Sequence, residues 1–180
     1  MLEAAAMGPS AKERVRVREA RPEDDAAIGE LLVAAYTTQY AVKLPEVVYT
    51  EERKRDLRAV AQKRSVARVW AAELDGEVVG TVALYPSGAP GSEAWLPDAA
   101  DLRHLATAPS VHGQGLSAPL MEAAEAQARA WGVKAVCLHV RKGVQGVARM
   151  YMARGFVRAP EGDLVYPTVS LEAYVLPLAR

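Results

Sequence analysis

Cysteine is almost absent from this 180-residue sequence: Cys137 stands alone, so it can form no internal disulfide and cannot by itself build a metal site. A net charge is absent too. Lysine and arginine together number 22, aspartate and glutamate 22; the basic excess of a general nucleic-acid or membrane-surface binder is missing. No apolar run reaches the ~20 residues that a membrane-spanning helix needs. Met1 to Glu13 has no apolar stretch behind basic residues, so no signal peptide is expected. What remains is a hydrophobic fraction of 51% and a charged fraction of 24%, enough for a real core in a chain whose length suits one domain. The expectation is a cytoplasmic protein with no nucleic-acid, membrane or metal partner.

Residues 1–13 lack periodicity and read as a flexible arm, leaving 14–180 as the domain. Arg14-Val15-Arg16-Val17-Arg18 alternates like a half-buried strand. Pro22-Glu23-Asp24-Asp25 suits the positive start of a helix, and Ile28, Leu31, Leu32 and Ala35 give that helix one apolar face. A second helix is expected over Glu51 to Arg64, with Glu51 and Arg55 placed to pair; its interleaved acids make the basic run a solvated face. Val66 to Leu74 and Glu77 to Tyr85 flank Asp75-Gly76, the signature of a type I′ hairpin. The loop from Pro86 to Pro97 contains Trp95 and is expected to act as a substrate lid. Strands then follow at Asp101–Thr107, Lys134–Val140, Phe156–Arg158 and Leu171–Leu178. They alternate with helices that end at Gly132 and Gly155. The order implies a mixed sheet with helices on its faces, not an alternating βα array.

The most informative stretch runs from Leu102 to Ser117: a strand ends, Gly113 and Gly115 follow, and a helix begins. Free N–H groups at a helix start form an anion site, and glycine lets a pyrophosphate come close. Pro119 has no N–H to give and therefore belongs in that helix's first turn. A turn in which the glycines serve packing alone would have the same spacing. Gly113-Gln114-Gly115-Leu116-Ser117-Ala118 also fits a relaxed dinucleotide pattern, with Arg141 placed to meet a 2′-phosphate. That pattern, however, belongs after the first strand of repeated βαβ units, and here a hairpin and two helices come first.

Two motifs carry a resemblance. Asp101-Leu102-Arg103-His104-Leu105-Ala106-Thr107-Ala108-Pro109 followed by Ser110-Val111-His112-Gly113-Gln114-Gly115, and later Tyr151-Met152-Ala153-Arg154-Gly155-Phe156, are similar to the strand, acyl-CoA loop and Y-x-x-x-G-F signatures of the GNAT superfamily of N-acetyltransferases. The resemblance spans about Arg14 to Leu178. It implies the GNAT fold, a central mixed, mostly antiparallel sheet of six to seven strands flanked by about four helices. It also implies acetyl-CoA as acyl donor, an amine-bearing small molecule or peptide as acceptor, and a possible homodimer. The cofactor would lie along Leu105, Ala106 and Thr107 and on the loop formed by His112, Gly113, Gln114, Gly115, Leu116 and Ser117. Three positions depart from the pattern: Ser110 stands where the family has Gln or Arg, His112 where it often has Arg or Lys, and Val144 where many members have Asn. A backbone cradle needs no particular side chain at any of them.

Acyl transfer to an amine needs a proton acceptor, a group to meet the oxyanion and a donor for the departing thiolate. The resemblance places Asp101 at the position of the base, acting through water because its side chain is short. His104, on the same strand, is a second candidate if the family's bulge turns it into the cleft. Tyr151 takes the position of the general acid, and a main-chain N–H near Leu105 or Ala106 that of the oxyanion donor. A satisfied structural histidine is nonetheless the expected identity of His104, and more so of His139. Cys137 lies in an apolar strand and reads as an inert core thiol, which favours direct transfer. The rival from another class is a catalytically silent acyl-CoA-binding or regulatory domain.

Overall fold

Ser10 and Glu13 cap one another: the Ser10 hydroxyl accepts the Glu13 N–H at 3.3 Å, and the Glu13 carboxylate accepts the Ser10 N–H at 2.7 Å. In the computed structural model, which describes residues 8–44 and 49–179, this box opens a one-turn helix, α1 (Ala11–Arg14). Of the arm expected over 1–13, residues 1–7 lie outside the described residues. Strand β1 is Arg16–Glu19, shorter than the alternation suggested, because Arg14 closes the turn of α1 and pairs with Asp75 at 2.7 Å.

A 3-10 turn at Pro22–Asp24 leads into α2 (Asp25–Lys43). Asp24 is buried, accepts the Arg21 N–H at 2.7 Å and receives both ends of the Arg18 guanidinium at 2.7 and 3.0 Å. The single helix expected over 51–64 is two, α3 (Glu51–Arg58) and α4 (Val60–Val66), broken at Ala59, where ψ is +53°. The break lets Leu57 and Val60 share one core cluster while the Lys63 ammonium donates back to the Leu57 carbonyl at 3.3 Å. Glu51 pairs with Lys54 rather than Arg55, and Arg58 crosses to Glu30 on α2.

Strands β2 (Arg68–Leu74) and β3 (Glu77–Tyr85) form the expected hairpin, with Asp75 and Gly76 at φ +51° and +84° as a type I′ turn requires. There follow β4 (Ala99–Thr107), α5 (Ser117–Ala130), β5 (Ala135–Arg141), α6 (Gln145–Ala153), β6 (Val157–Arg158), β7 (Leu164–Val165) and β8 (Ser170–Pro177). The sheet has eight strands in the order β1-β2-β3-β4-β5-β8-β6, with β7 beside β8. The mixed, mostly antiparallel architecture is as expected. The additional strand, β7, is two residues long and leaves no periodic trace in the sequence.

Alternation along the strands splits the core in two. Trp70, Ala72, Val82 and Leu84 point to the face covered by α5 and α6; Val69, Ala71, Ala83 and Tyr85 point to the face covered by α2, α3 and α4. All strand pairs are antiparallel except β4–β5, which is parallel and only three residues long: Ala99 with Ala135, Ala100 with Val136, Asp101 with Cys137. Beyond Asp101 the two strands part, β4 staying on β3 and β5 on β8. This divergence positions everything that follows. Among the described residues no helix is long and apolar enough to cross a membrane.

Candidate active site

Two strands that separate while each remains paired on its outer side leave a wedge between them. Here the wedge opens into a cleft of about 1000 Å³, walled by β4 from Asp101 to Thr107, by β5 from His139 to Arg141, and by parts of α2, α3 and α6. Asp101, Leu105, Ala106, Thr107, His112, Ser117 and Tyr151 all line it. Gly113, Gln114 and Gly115 lie exposed in the turn at its mouth. Leu116 differs from the rest of the loop: its side chain is buried with Leu74 and Val79, so only its main chain is available to a ligand.

The turn fits an anion. Gly113 and Gly115 have φ of +80° and +78°, conformations that L side chains avoid. A Cβ at Gly113 would meet nothing within 4 Å, and at Gly115 only the Lys12 side chain, at 3.5 Å. The turn's own bonds run from the N–H groups of Val111, His112 and Gln114 to the carbonyls of Ala108, Pro109 and Val111, and no side chain caps α5. Among the described residues the first N–H groups of α5 thus have no capping partner, at the positive end of a fourteen-residue helix. Pro119 falls in the first turn, as its missing N–H demands. Lys12 brings a cation of the N-terminal helix to the same place, which nothing in the sequence pattern indicated.

At the apex of the wedge sits Asp101, fully buried. Its Oδ2 accepts the Glu93 N–H at 2.8 Å and lies 3.0 Å from Arg103 Nε, whereas Oδ1 has no partner. Burial raises its pKa to about 6, against the pull of Arg103. Arg103 also pairs with the Glu93 carboxylate and lies over the Tyr85 ring. His139 Nε2 donates to the Gly162 carbonyl at 2.8 Å, and its Nδ1 lies 3.8 Å from the Glu93 carboxylate. That is the anchored, structural histidine the sequence suggested.

Regular pairing would put His104 on the opposite face from Asp101. Thr81 pairs with Ala106 and Ala83 with Arg103, so His104 and Leu105 together oppose the single residue Val82. This bulge, with His104 at φ +54°, turns both Asp101 and His104 to the cleft. The His104 ring stays neutral: burial first, then the nearby cations Lys63, Arg53 and Arg103, push its pKa well below the ordinary 6.5. The Tyr36 hydroxyl donates to the carbonyl of the bulged Leu105 at 3.5 Å.

Tyr151 lies on α6, edge-on to Phe156 with ring centroids 5.5 Å apart, and burial raises its pKa above the ordinary 10. Cys137 is buried and its thiol is pushed up to about 11, chiefly by desolvation. Trp95 is not a lid. It packs against Gly162, Ala99 and Ala135 and stands edge-on to His139 at 5.3 Å. The residue of that loop that reaches the cleft is Glu93. Sequence reasoning missed Glu93, Arg53 and Lys63, because only tertiary packing brings a loop and a helix break to this strand. Of the region Tyr36 to Glu52, expected to set the acceptor, residues 45–48 lie outside the described residues.

Residues 26–156 match the model of the acetyltransferase (GNAT) family. No curated protein matches the chain. Among solved structures, an acetyltransferase of the GNAT family from Staphylococcus aureus Mu50 superposes with a TM-score of 0.72 at 14% identity, over 92% of this chain and 99% of that one. The PaiA N-acetyltransferase from Thermoplasma acidophilum in complex with coenzyme A gives 0.66 at 16% identity, over 91% and 99%. A GNAT family acetyltransferase from Elizabethkingia anophelis with acetyl-CoA bound gives 0.61 at 16% identity, over 93% and 100%.

Proposed function

Because this chain belongs to the acetyltransferase (GNAT) family, we propose that it moves an acetyl group from acetyl-CoA directly to a primary amine. The observation that carries the reading is the joining of an open backbone cradle at Gly113–Ser117 to a wedge with Asp101 at its apex and Tyr151 on its wall. Acetyl-CoA supplies the activated acyl group; every other requirement falls to this chain. First-turn N–H groups of α5 and the Lys12 ammonium hold the diphosphate. The unpaired inner edge of β4 at Leu105, Ala106 and Thr107 offers main-chain groups to the amide-bearing arm, and an N–H there meets the oxyanion.

The acceptor enters as an ammonium with an ordinary pKa near 10.4 and must lose a proton. Asp101 is the stronger of the two candidate bases. Its affinity for a proton is raised, whereas that of His104 is depressed. Its complete burial requires a water between carboxylate and amine. Tyr151, held protonated by burial, is the donor for the leaving thiolate. The Cys137 thiol, with its raised pKa, leaves little thiolate for a covalent acyl intermediate.

Calorimetry with coenzyme A tests the cradle. Gly115→Glu places a carboxylate where the diphosphate belongs and is expected to weaken binding about a hundredfold or more, the equivalent of about 3 kcal/mol. The turn is open and exposed, so a circular dichroism spectrum like that of the parent should accompany the loss. Unchanged affinity in the folded variant would overturn the assignment.

A further inference from the structure

The cleft has charge of two kinds in two places. At the apex, Asp101 and Glu93 are two carboxylates served by a single guanidinium, that of Arg103. Further along β4 the balance reverses. Arg53, on the first turn of α3, lines the cleft and is solvent-exposed, and among the described residues its guanidinium has neither an ion-pair nor a hydrogen-bond partner. Across from it, on the β4 wall and near enough to feel its charge, His104 Nδ1 is buried without a partner among the described residues. Behind it Lys63 holds its ammonium on the Leu57 carbonyl, and burial together with Arg53 and Arg103 lowers its pKa to about 8. Arg103 is committed to the acids and Lys63 to a carbonyl, and Asp56 is the one acid of α3 on the cleft wall. On the α3 side of the cleft Arg53 is the cation left over; Lys43, whose ammonium lies beside Gly146 of α6, and Arg141 of β5 line other parts of it.

A buried nitrogen without a partner is destabilising, and a neighbouring ligand oxygen relieves that cost. An anion there would pair with Arg53, offset the repulsion among three cations and let the imidazole donate Nδ1–H. The coenzyme's diphosphate is not a candidate for this position, because its cradle begins α5, on the opposite face of the sheet from α3. We propose that Arg53 and His104 form an anion subsite for the acceptor, which is therefore a primary amine that also carries a carboxylate or phosphate group. The amine lies towards Asp101 and Glu93, the anionic group towards Arg53. This inference rests on the acetyl-transfer reading above and narrows its substrate class.

The test compares matched amines by kcat/KM with acetyl-CoA: 4-aminobutyrate against butylamine for carboxylate, O-phosphoethanolamine against ethanolamine for phosphate. The anion-bearing member of at least one pair should be favoured tenfold or more, and whichever pair shows it names the anion. Arg53→Ala should abolish that preference, Arg53→Lys should keep part of it, and coenzyme A affinity should stay unchanged in both. Equal rates within both pairs, or a preference that survives Arg53→Ala, would overturn the subsite. Should no amine turn over, the His104 imidazole signal, assigned by its absence in His104→Asn, decides. A shift on adding 4-aminobutyrate or O-phosphoethanolamine to the parent and not to Arg53→Ala supports the subsite; no shift overturns it. Failure of coenzyme A to bind the parent would sink the acetyl-transfer reading while leaving this magnetic-resonance result interpretable.

Discussion

Asp101 owes its chemistry to being the last residue of the parallel β4–β5 pairing. One residue earlier or later its side chain would point to the other face of the sheet, where Ala100 and Leu102 lie in the core. Burial at the apex raises its pKa to about 6, so the carboxylate accepts protons above that pH and is blocked below it. The rate of acetyl transfer should therefore fall as pH drops through about 6. Asp101→Asn should lower kcat roughly a hundredfold and erase that limb from the profile; a variant that keeps the limb would point to another base. The motif singled out Asp101 and Tyr151, which both line the cleft, because each sits at a fixed offset from glycines and apolar strand positions. Arg53, Lys63 and Glu93 carry no such offsets. Their role arises from a helix broken at Ala59 and a loop anchored by its own glutamate N–H, neither of which has a periodic signal.

At the scale of elements, the loop between β3 and β4 is a structural wedge rather than a cover. The Trp95 ring occupies the space that a Cβ on Gly162 would need, so the contact fixes where the loop lies and where Glu93 reaches. Gly162→Ala should cost about 1–3 kcal/mol by overpacking, read as a fall in melting temperature of about 3–10 °C. An unchanged melting temperature would mean that Trp95 moves aside freely. The hairpin, the α5 start and the Gly155 stop were readable because turn chemistry there is local. The bulge at His104–Leu105 was not readable from alternation; it depends on register against β3, which a single strand does not encode.

For the molecule as a whole, stability in acid depends on the buried Asp24, which fastens β1 to the start of α2 through Arg18. Hydrogen bonding by Arg18 lowers its pKa from 3.8 to about 2. The folded state thus gains when the carboxylate is charged, a contribution fully present above about pH 4 and lost as pH falls through about 2. The shift corresponds to about 2 kcal/mol. Asp24→Asn should be destabilised by about that much at pH 7 in urea unfolding, with the gap to the parent closing as the solution is acidified towards pH 2. A gap independent of pH would assign the loss to packing instead.

An ordinary sheet keeps its hydrogen-bonding rims on the outside, where any passing extended chain can adhere to them. This one has an additional pair of rims in its interior, created where β4 and β5 separate after only three residue pairs. The cleft of about 1000 Å³ between those rims gives room to a slender guest with amides of its own.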